Sequence, residues 1–214
     1  MYLRPAFVET DPARIVALIR DNPFGLLVTA GGDASSAAGG DASIEIAGSH
    51  IPFTVRETAG GLCLSAHLSA DNPQCARLAG GEAMAVFSGP HAYIAPGWYR
   101  TQPAVPTWDY CAVHVHGRLS LLEDEAQIEA NLRSLAEHDP AGFDLDALPE
   151  AYRRKMIAGT RGFTLLATKI EAQWKMSQNR SPADRAAVIA ALRARADPMA
   201  SQVADLIAAT LPAS

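Results

Sequence analysis

The sequence has no Cys-x-x-C pair and no apolar run of membrane-spanning length. Its three cysteines, Cys63, Cys75 and Cys111, are odd in number and lie far apart. A disulfide framework is therefore not expected, and the pattern fits the reduced thiols of a cytosolic protein. A membrane helix needs about 20 consecutive apolar residues, and no run here approaches that. The opening Met1-Tyr2-Leu3-Arg4-Pro5 has no basic segment leading into an apolar one. No secretory signal is expected, and the expected location is the cytoplasm. Basic charge is also scarce: 18 Lys and Arg stand against 23 Asp and Glu, a formal net charge of -5. Such a chain repels nucleic-acid phosphate unless it carries a local basic stripe. The densest basic run, Arg153-Arg154-Lys155 followed by Arg161, reads as a solvated helix face. Also missing are a Gly-x-Ser-x-Gly elbow, a phosphate loop and a Gly-x-Gly-x-x-Gly fingerprint, so the sequence signals no hydrolase elbow and no mononucleotide or dinucleotide loop.

What is present is a globular composition. Of the 214 residues, 49% are apolar and 19% charged, enough for one good core. Asp11-Pro12, Asn72-Pro73, Ser181-Pro182 and Asp197-Pro198 each place a capping side chain before a proline that would open a helix. Behind Asp11 come Ile15, Leu18 and Ile19 at helical spacing; Pro23 ends that helix. Asp184, three residues after Ser181, suggests a capping box. Strand-like runs cover 24–30, 49–55, 62–66, 83–88, 108–121 and 162–174. The second and third form a hairpin around Ala59-Gly60-Gly61. In the long fifth run, Tyr110, Ala112, His114, His116 and Arg118 alternate with Cys111, Val113, Val115, Gly117 and Leu119. Helices are expected at 124–138 and 146–158. The Gly/Ser-rich stretch 31–40 reads as a flexible loop. Six antiparallel strands with appended helices suggest a β-barrel, because short strands need closure or a partner to hide their edges.

Four clusters stand out chemically. They are Ser49-His50-Ile51-Pro52-Phe53, the stretch from His67 through Ser69 and Asn72 to Gln74, the stretch from Gly89 through Tyr93 and Trp98-Tyr99 to Trp108, and Trp174-Lys175-Met176-Ser177-Gln178-Asn179-Arg180. A polar helix opening at Asn72 would suit an anion. The dense Trp and Tyr residues would suit either a flat ligand or an interface. His114 and His116 share a strand face, yet no Cys or carboxylate stands at convincing ligand spacing, so no metal is expected. Residue chemistry alone supports a pocket for something flat and anionic.

The same clusters carry a resemblance. His50-Ile51-Pro52-Phe53, Ala66-His67-Leu68, Asn72-Pro73-Gln74, Gly89-Pro90-His91-Ala92-Tyr93-Ile94, Trp98-Tyr99, Pro106-Thr107-Trp108-Asp109-Tyr110 and Lys175-Met176-Ser177-Gln178-Asn179-Arg180 occur in the order found in FMN-binding negative transcriptional regulators of the PaiB type. That family is related to the pyridoxamine-phosphate-oxidase-like split barrels. The resemblance implies a mainly β, six-stranded antiparallel FMN-binding split barrel over 1–180, with a helical pair at 181–214 on the same domain. It also implies a homodimer with FMN at the subunit interface. The phosphate is expected near His67, Ser69 and the helix opening at Asn72. Trp108, Tyr110, Gln178 and Arg180 are expected around the ring or across the interface, with Lys175 supplying charge. His50, Pro52, Phe53, Gln74, Tyr93 and Ser177 are expected to take part in binding the cofactor. The chain departs from the family at Cys75, where a tryptophan is usual, and at Ala70, where a basic or large residue is usual. A flavin-dependent oxidoreductase of unstated substrate is the first reading. A transcriptional regulator, acting directly or through a partner, is the second. Haem handling through His114 and His116 is the third.

Overall fold

The computed structural model describes residues 1–32 and 44–211. The Gly/Ser-rich stretch expected as a loop lies almost wholly outside the described residues. In chain order the elements are α1 (Pro12–Asp21), β1 (Phe24–Gly32), β2 (Ile44–Pro52), β3 (Thr54–Thr58), β4 (Gly61–Ser69), β5 (Glu82–Ile94), β6 (Thr107–Leu121), α2 (Glu125–Ala136), α3 (Glu150–Ala158), β7 (Thr160–Lys175), α4 (Pro182–Arg193) and α5 (Pro198–Ala208).

Every expected cap is made. Asp11 accepts from Ala13 N at 2.9 Å, Asn72 from Gln74 N at 2.9 Å, Ser181 from Asp184 N at 3.1 Å and Asp197 from Met199 N at 3.0 Å. Two details differ from expectation. The helix opening at Asn72 is a five-residue 3-10 turn, Pro73–Arg77. The carboxylate of Asp184 accepts from Thr101 N at 2.9 Å, tying the 96–107 loop to α4.

The strands form one seven-stranded sheet in the order β2-β1-β5-β6-β7-β4-β3. Expectation was six. The run 49–55 is divided at Phe53, and its first part begins earlier, at Ile44. Pro52 has no N–H to continue a ladder. Phe53 N–H turns to Pro23 O at 2.9 Å. Before the break β2 pairs antiparallel with β1, ending at Phe24↔Pro52; after it β3 pairs antiparallel with β4, starting at Thr54↔Ser65. The expected hairpin turn forms between β3 and β4, where Gly61 takes a φ of +112° that L side chains avoid. Because β2 and β3 are the two ends of the strand order, a single residue joins them, and the sheet returns on itself at Phe53.

Two compact units emerge. The second comprises Pro23–Phe87 and Val115–Ile170. Its core centres on Phe53, 2% exposed. Phe53 meets Phe87 edge-on at 5.3 Å and Phe163 at 6.4 Å, the arrangement that ring quadrupoles favour. Leu27, Leu64, Val115, Leu119 and Leu165 complete this core, all fully buried. Gly117 is required by close approach: a Cβ there would stand 2.2 Å from Leu166 O.

The first unit comprises Met1–Asn22, Ser88–His114 and Glu171–Ser214, the last described residue being Leu211. Here α1 buries Ile15, Val16, Leu18 and Ile19. Val188 and Leu192 of α4 are fully buried, as are Val203 and Ile207 of α5. Arg185 fastens the end of α5 by donating to Thr210 O at 2.8 Å and Thr210 Oγ1 at 2.9 Å.

Candidate functional site

The expected site residues fall into two groups, one in each unit. In the second unit, β1, β2, β4 and the turn after β4 gather a polar network. Ser49 Oγ donates to Gln74 Oε1 at 2.6 Å, and Asn72 Nδ2 donates to Ser49 Oγ at 3.1 Å. Gln74 Nε2 faces Thr29 Oγ1 at 3.0 Å, Leu27 O at 3.3 Å and Ala47 O at 3.4 Å. Gln74 is 3% exposed. It fastens the turn to the sheet, and Phe53 belongs to the core; neither has a face to offer a ligand.

The turn also has little to offer as an anion cradle. Pro73 lacks an N–H, Gln74 N is taken by Asn72 Oδ1, and Cys75 N donates to Asn72 O at 2.9 Å. What remains accessible is side chain. His67 and Ser69 project from the same face of β4, half-buried and exposed respectively. His67 Nδ1 lies 2.7 Å from Asn131 Oδ1. His50 is exposed, stacked on Phe24 at 6.0 Å, and Pro52 is half-buried beside it in sequence. Cys75 donates its S–H to Ser69 O at 3.2 Å. Burial raises the Cys75 thiol pKa, and the Arg161 guanidinium opposes that rise.

In the first unit, Asp109 organises the second group. It is 0% exposed. Ser177 Oγ donates to its Oδ2 at 2.6 Å, and Lys175 Nζ lies 3.3 Å from its Oδ1. Burial pushes the carboxyl pKa up, and the Ser177 and Lys175 bonds hold it back. Lys175 Nζ also donates to Thr107 Oγ1 at 2.6 Å and to Trp108 O. Lys175 is thus a fastener of β6, and its charge is already answered by Asp109. Gln178 likewise serves the backbone, donating to Trp174 O at 2.6 Å and accepting from Met176 N at 2.7 Å. Tyr110 accepts from Gln173 Nε2. The Arg180 guanidinium lies 4.3 Å above the Tyr99 ring, a cation–π contact.

Next to this buried machinery stands an exposed aromatic ledge. Trp108 is 53% exposed and Tyr93 40%. Their rings meet edge-on at 6.2 Å, and His91 packs against Trp108 at 5.9 Å. A cavity of about 590 Å³ also lies in this unit, lined by Arg14, Leu18, Pro90, Cys111, Trp174 and Leu206 among others. None of the expected site residues lines it. Burial pushes the Cys111 thiol up to about 12, so it is no nucleophile at neutral pH.

Asn131 and Asp109 carry much of this geometry, and the sequence reading assigned neither a role. Each had a signal. Asn131 interrupts the stripe Ile128, Asn131, Leu135 on α2, and Asp109 stands on the inward-facing register of β6 with Cys111 and Val113.

A family described as "Putative FMN-binding domain" matches residues 1–169. The Bacillus subtilis "Protease synthase and sporulation protein PAI 2" is 30% identical over 211 residues, covering 97% of this chain and 96% of that protein. Among solved structures, the "FAD and Heme binding protein" of Mycobacterium smegmatis matches with a TM-score of 0.56 at 16% identity, covering 84% of this chain and 78% of that one. The "Flavocytochrome Anf3" of Azotobacter vinelandii matches with a TM-score of 0.52 at 14% identity, covering 81% and 72%. At these identities the structural matches speak for the fold alone.

Proposed function

Since the chain belongs to the PaiB-type family of FMN-binding domains, we propose that it is a split-barrel flavoprotein whose His67 and Ser69 receive the phosphate of FMN. The carrying observation is the donor set on β4. His67 and Ser69 share one face, and among the described residues no partner engages His67 Nε2 or Ser69 Oγ. A phosphate dianion asks for such donors together with a cation. Ala70 supplies none. Arg161, whose charge is felt at Cys75, pairs with Leu68 in the β4–β7 register and so leaves the sheet on the other face; the cation is His67 itself when its ring carries a proton on each nitrogen. FMN, when bound, brings hydride and one-electron transfer chemistry; the chain's own residues bind and orient it. The return of the sheet on itself at Phe53 supports the split barrel.

The aromatic ledge of Trp108 and Tyr93 supports a homodimer, since an exposed pair of this size calls for a cover. The regulatory reading has one point in its favour, the sporulation role in the name of the Bacillus relative. The net charge of -5 favours its acting through a partner over direct DNA contact.

Two variants test these assignments separately. His67→Ala with Ser69→Ala should weaken FMN binding at least tenfold in a fluorescence-quenching titration while leaving sedimentation unchanged. Trp108→Ala should shift the sedimenting species towards monomer. Wild-type affinity in the first, or an unchanged dimer in the second, refutes the corresponding assignment.

A further inference from the structure

Of the two ring nitrogens of His67, one is committed within the protein. Nδ1 lies 2.7 Å from Asn131 Oδ1. Asn131 is 7% exposed, and its other end is also engaged, Nδ2 donating to the buried Ser65 Oγ at 2.9 Å. With Nδ2 held on Ser65, the atom facing the imidazole is an oxygen, which only accepts. Nδ1 must then carry the hydrogen. Nε2 is left outward, as a lone pair on the neutral ring or an N–H on the imidazolium.

The fold makes this contact by design of several elements. Ile128, Asn131 and Leu135 lie on one face of α2. Gly162 of β7 stands opposite His67 in the β4–β7 register. A Cβ at Gly162 would come within 2.9 Å of Leu122 Cδ1 and 3.4 Å of Ile128 Cγ1. The bare glycine therefore lets α2 settle close enough for Asn131 to reach His67. Pro52, Phe53, Leu135 and His138 close around the pair and leave a space of about 10 Å³, no more than one water fills. No ligand reaches Nδ1; whatever meets His67 meets Nε2.

We propose that Asn131 is a positioning residue that fixes His67 in its Nδ1–H form and aims Nε2 at the phosphate of FMN. The phosphate half of this inference rests on the placement of FMN given above; the tautomer half stands without it. In the complex Nδ1–H stays on Asn131 Oδ1, and because Nε2 of that form is an acceptor, one proton taken up from solvent together with the phosphate is shared between Nε2 and a phosphate oxygen. That shared bond is charge-assisted.

Nitrogen-15 histidine spectra of the FMN-free protein read the tautomer, and FMN titration reads the affinity. The wild-type His67 signal should show hydrogen on Nδ1. Asn131→Leu should lose that preference and weaken FMN binding by about tenfold or more, the cost of an undirected charged hydrogen bond. Asn131→Asp keeps an acceptor at Nδ1 and should bind within a few-fold of wild type. Should Asn131→Leu not fold, Ser65→Ala frees the amide to turn and should give a mixture of tautomers in a folded protein. An Nε2–H tautomer in the wild type, or undiminished FMN affinity in Asn131→Leu, overturns the proposal. If His67→Ala and Ser69→Ala together leave FMN affinity untouched while the wild-type Nδ1–H signal is present, the phosphate placement has failed and the tautomer assignment has not.

Discussion

Ser177 offers a test in which two substitutions share one loss and differ in a single physical term. It stands at a φ of 54°, in the left-handed region where a Cβ is crowded. It is 2% exposed, and its Oγ donates to the buried Asp109 Oδ2 at 2.6 Å. Replacing it with alanine or with glycine removes that hydrogen bond alike. A bond to a buried carboxylate is worth about 1.5–3 kcal/mol. Alanine keeps the left-handed strain. Glycine relieves it, and alanine at positive φ is the poorer of the two by about 1 kcal/mol. Ser177→Gly should therefore be destabilised by about 0.5–2 kcal/mol and Ser177→Ala by about 1.5–3 kcal/mol. For a chain of this size the gap amounts to roughly 2–4 °C in midpoint. Urea unfolding followed by far-ultraviolet circular dichroism measures both variants against wild type. If glycine equals alanine, or falls below it, the strain at Ser177 plays no part in stability and the reasoning is refuted.

Asp109→Asn tests the buried carboxyl. Burial raises its folded pKa above the ordinary carboxylate value. Its contribution to stability is therefore full below that ordinary value and is lost as pH rises through the folded value. The wild-type midpoint should lose stability relative to Asp109→Asn across that rise; parallel pH profiles would contradict the account. The lowered Asp184, held by Thr101 N–H, works in the opposite sense. Its contribution is present above the usual carboxylate range and fades as pH falls through its folded value, so Asp184→Asn should flatten the acid limb. Gln74→Leu strips donors from Leu27 O, Thr29 Oγ1 and Ala47 O and should cost about 2–4 kcal/mol in urea unfolding. A loss below about 1 kcal/mol would mean the network is not what fastens the turn.

Local signals in the sequence proved reliable where the cause is local. A cap oxygen and a following proline act over a few residues, and Asp11, Asn72, Ser181 and Asp197 all cap as the chain suggests. The alternation on β6 is equally plain, with Cys111, Val113, Val115, Gly117 and Leu119 buried. What was not legible depends on distant partners. The division at Phe53 arises because β1 and β4 compete for one stretch of chain, and Pro52 alone does not reveal which residues pair with which. The intramolecular partners of Lys175 and Gln178 were hidden for a related reason. A cation and an amide beside a strand end look available until Asp109, Trp108 O and Trp174 O are seen to occupy them. Asn131 reaches His67 across 64 positions of sequence, a contact that no short motif records.

The central claim is that this chain holds FMN through its own residues. The most direct measurement is an FMN titration of the purified protein, reading flavin fluorescence alongside the visible absorption spectrum. The account predicts saturable quenching at one FMN per subunit and flavin bands that persist through gel filtration. Free-flavin fluorescence at every ratio, with no flavin bands left after gel filtration, would contradict it.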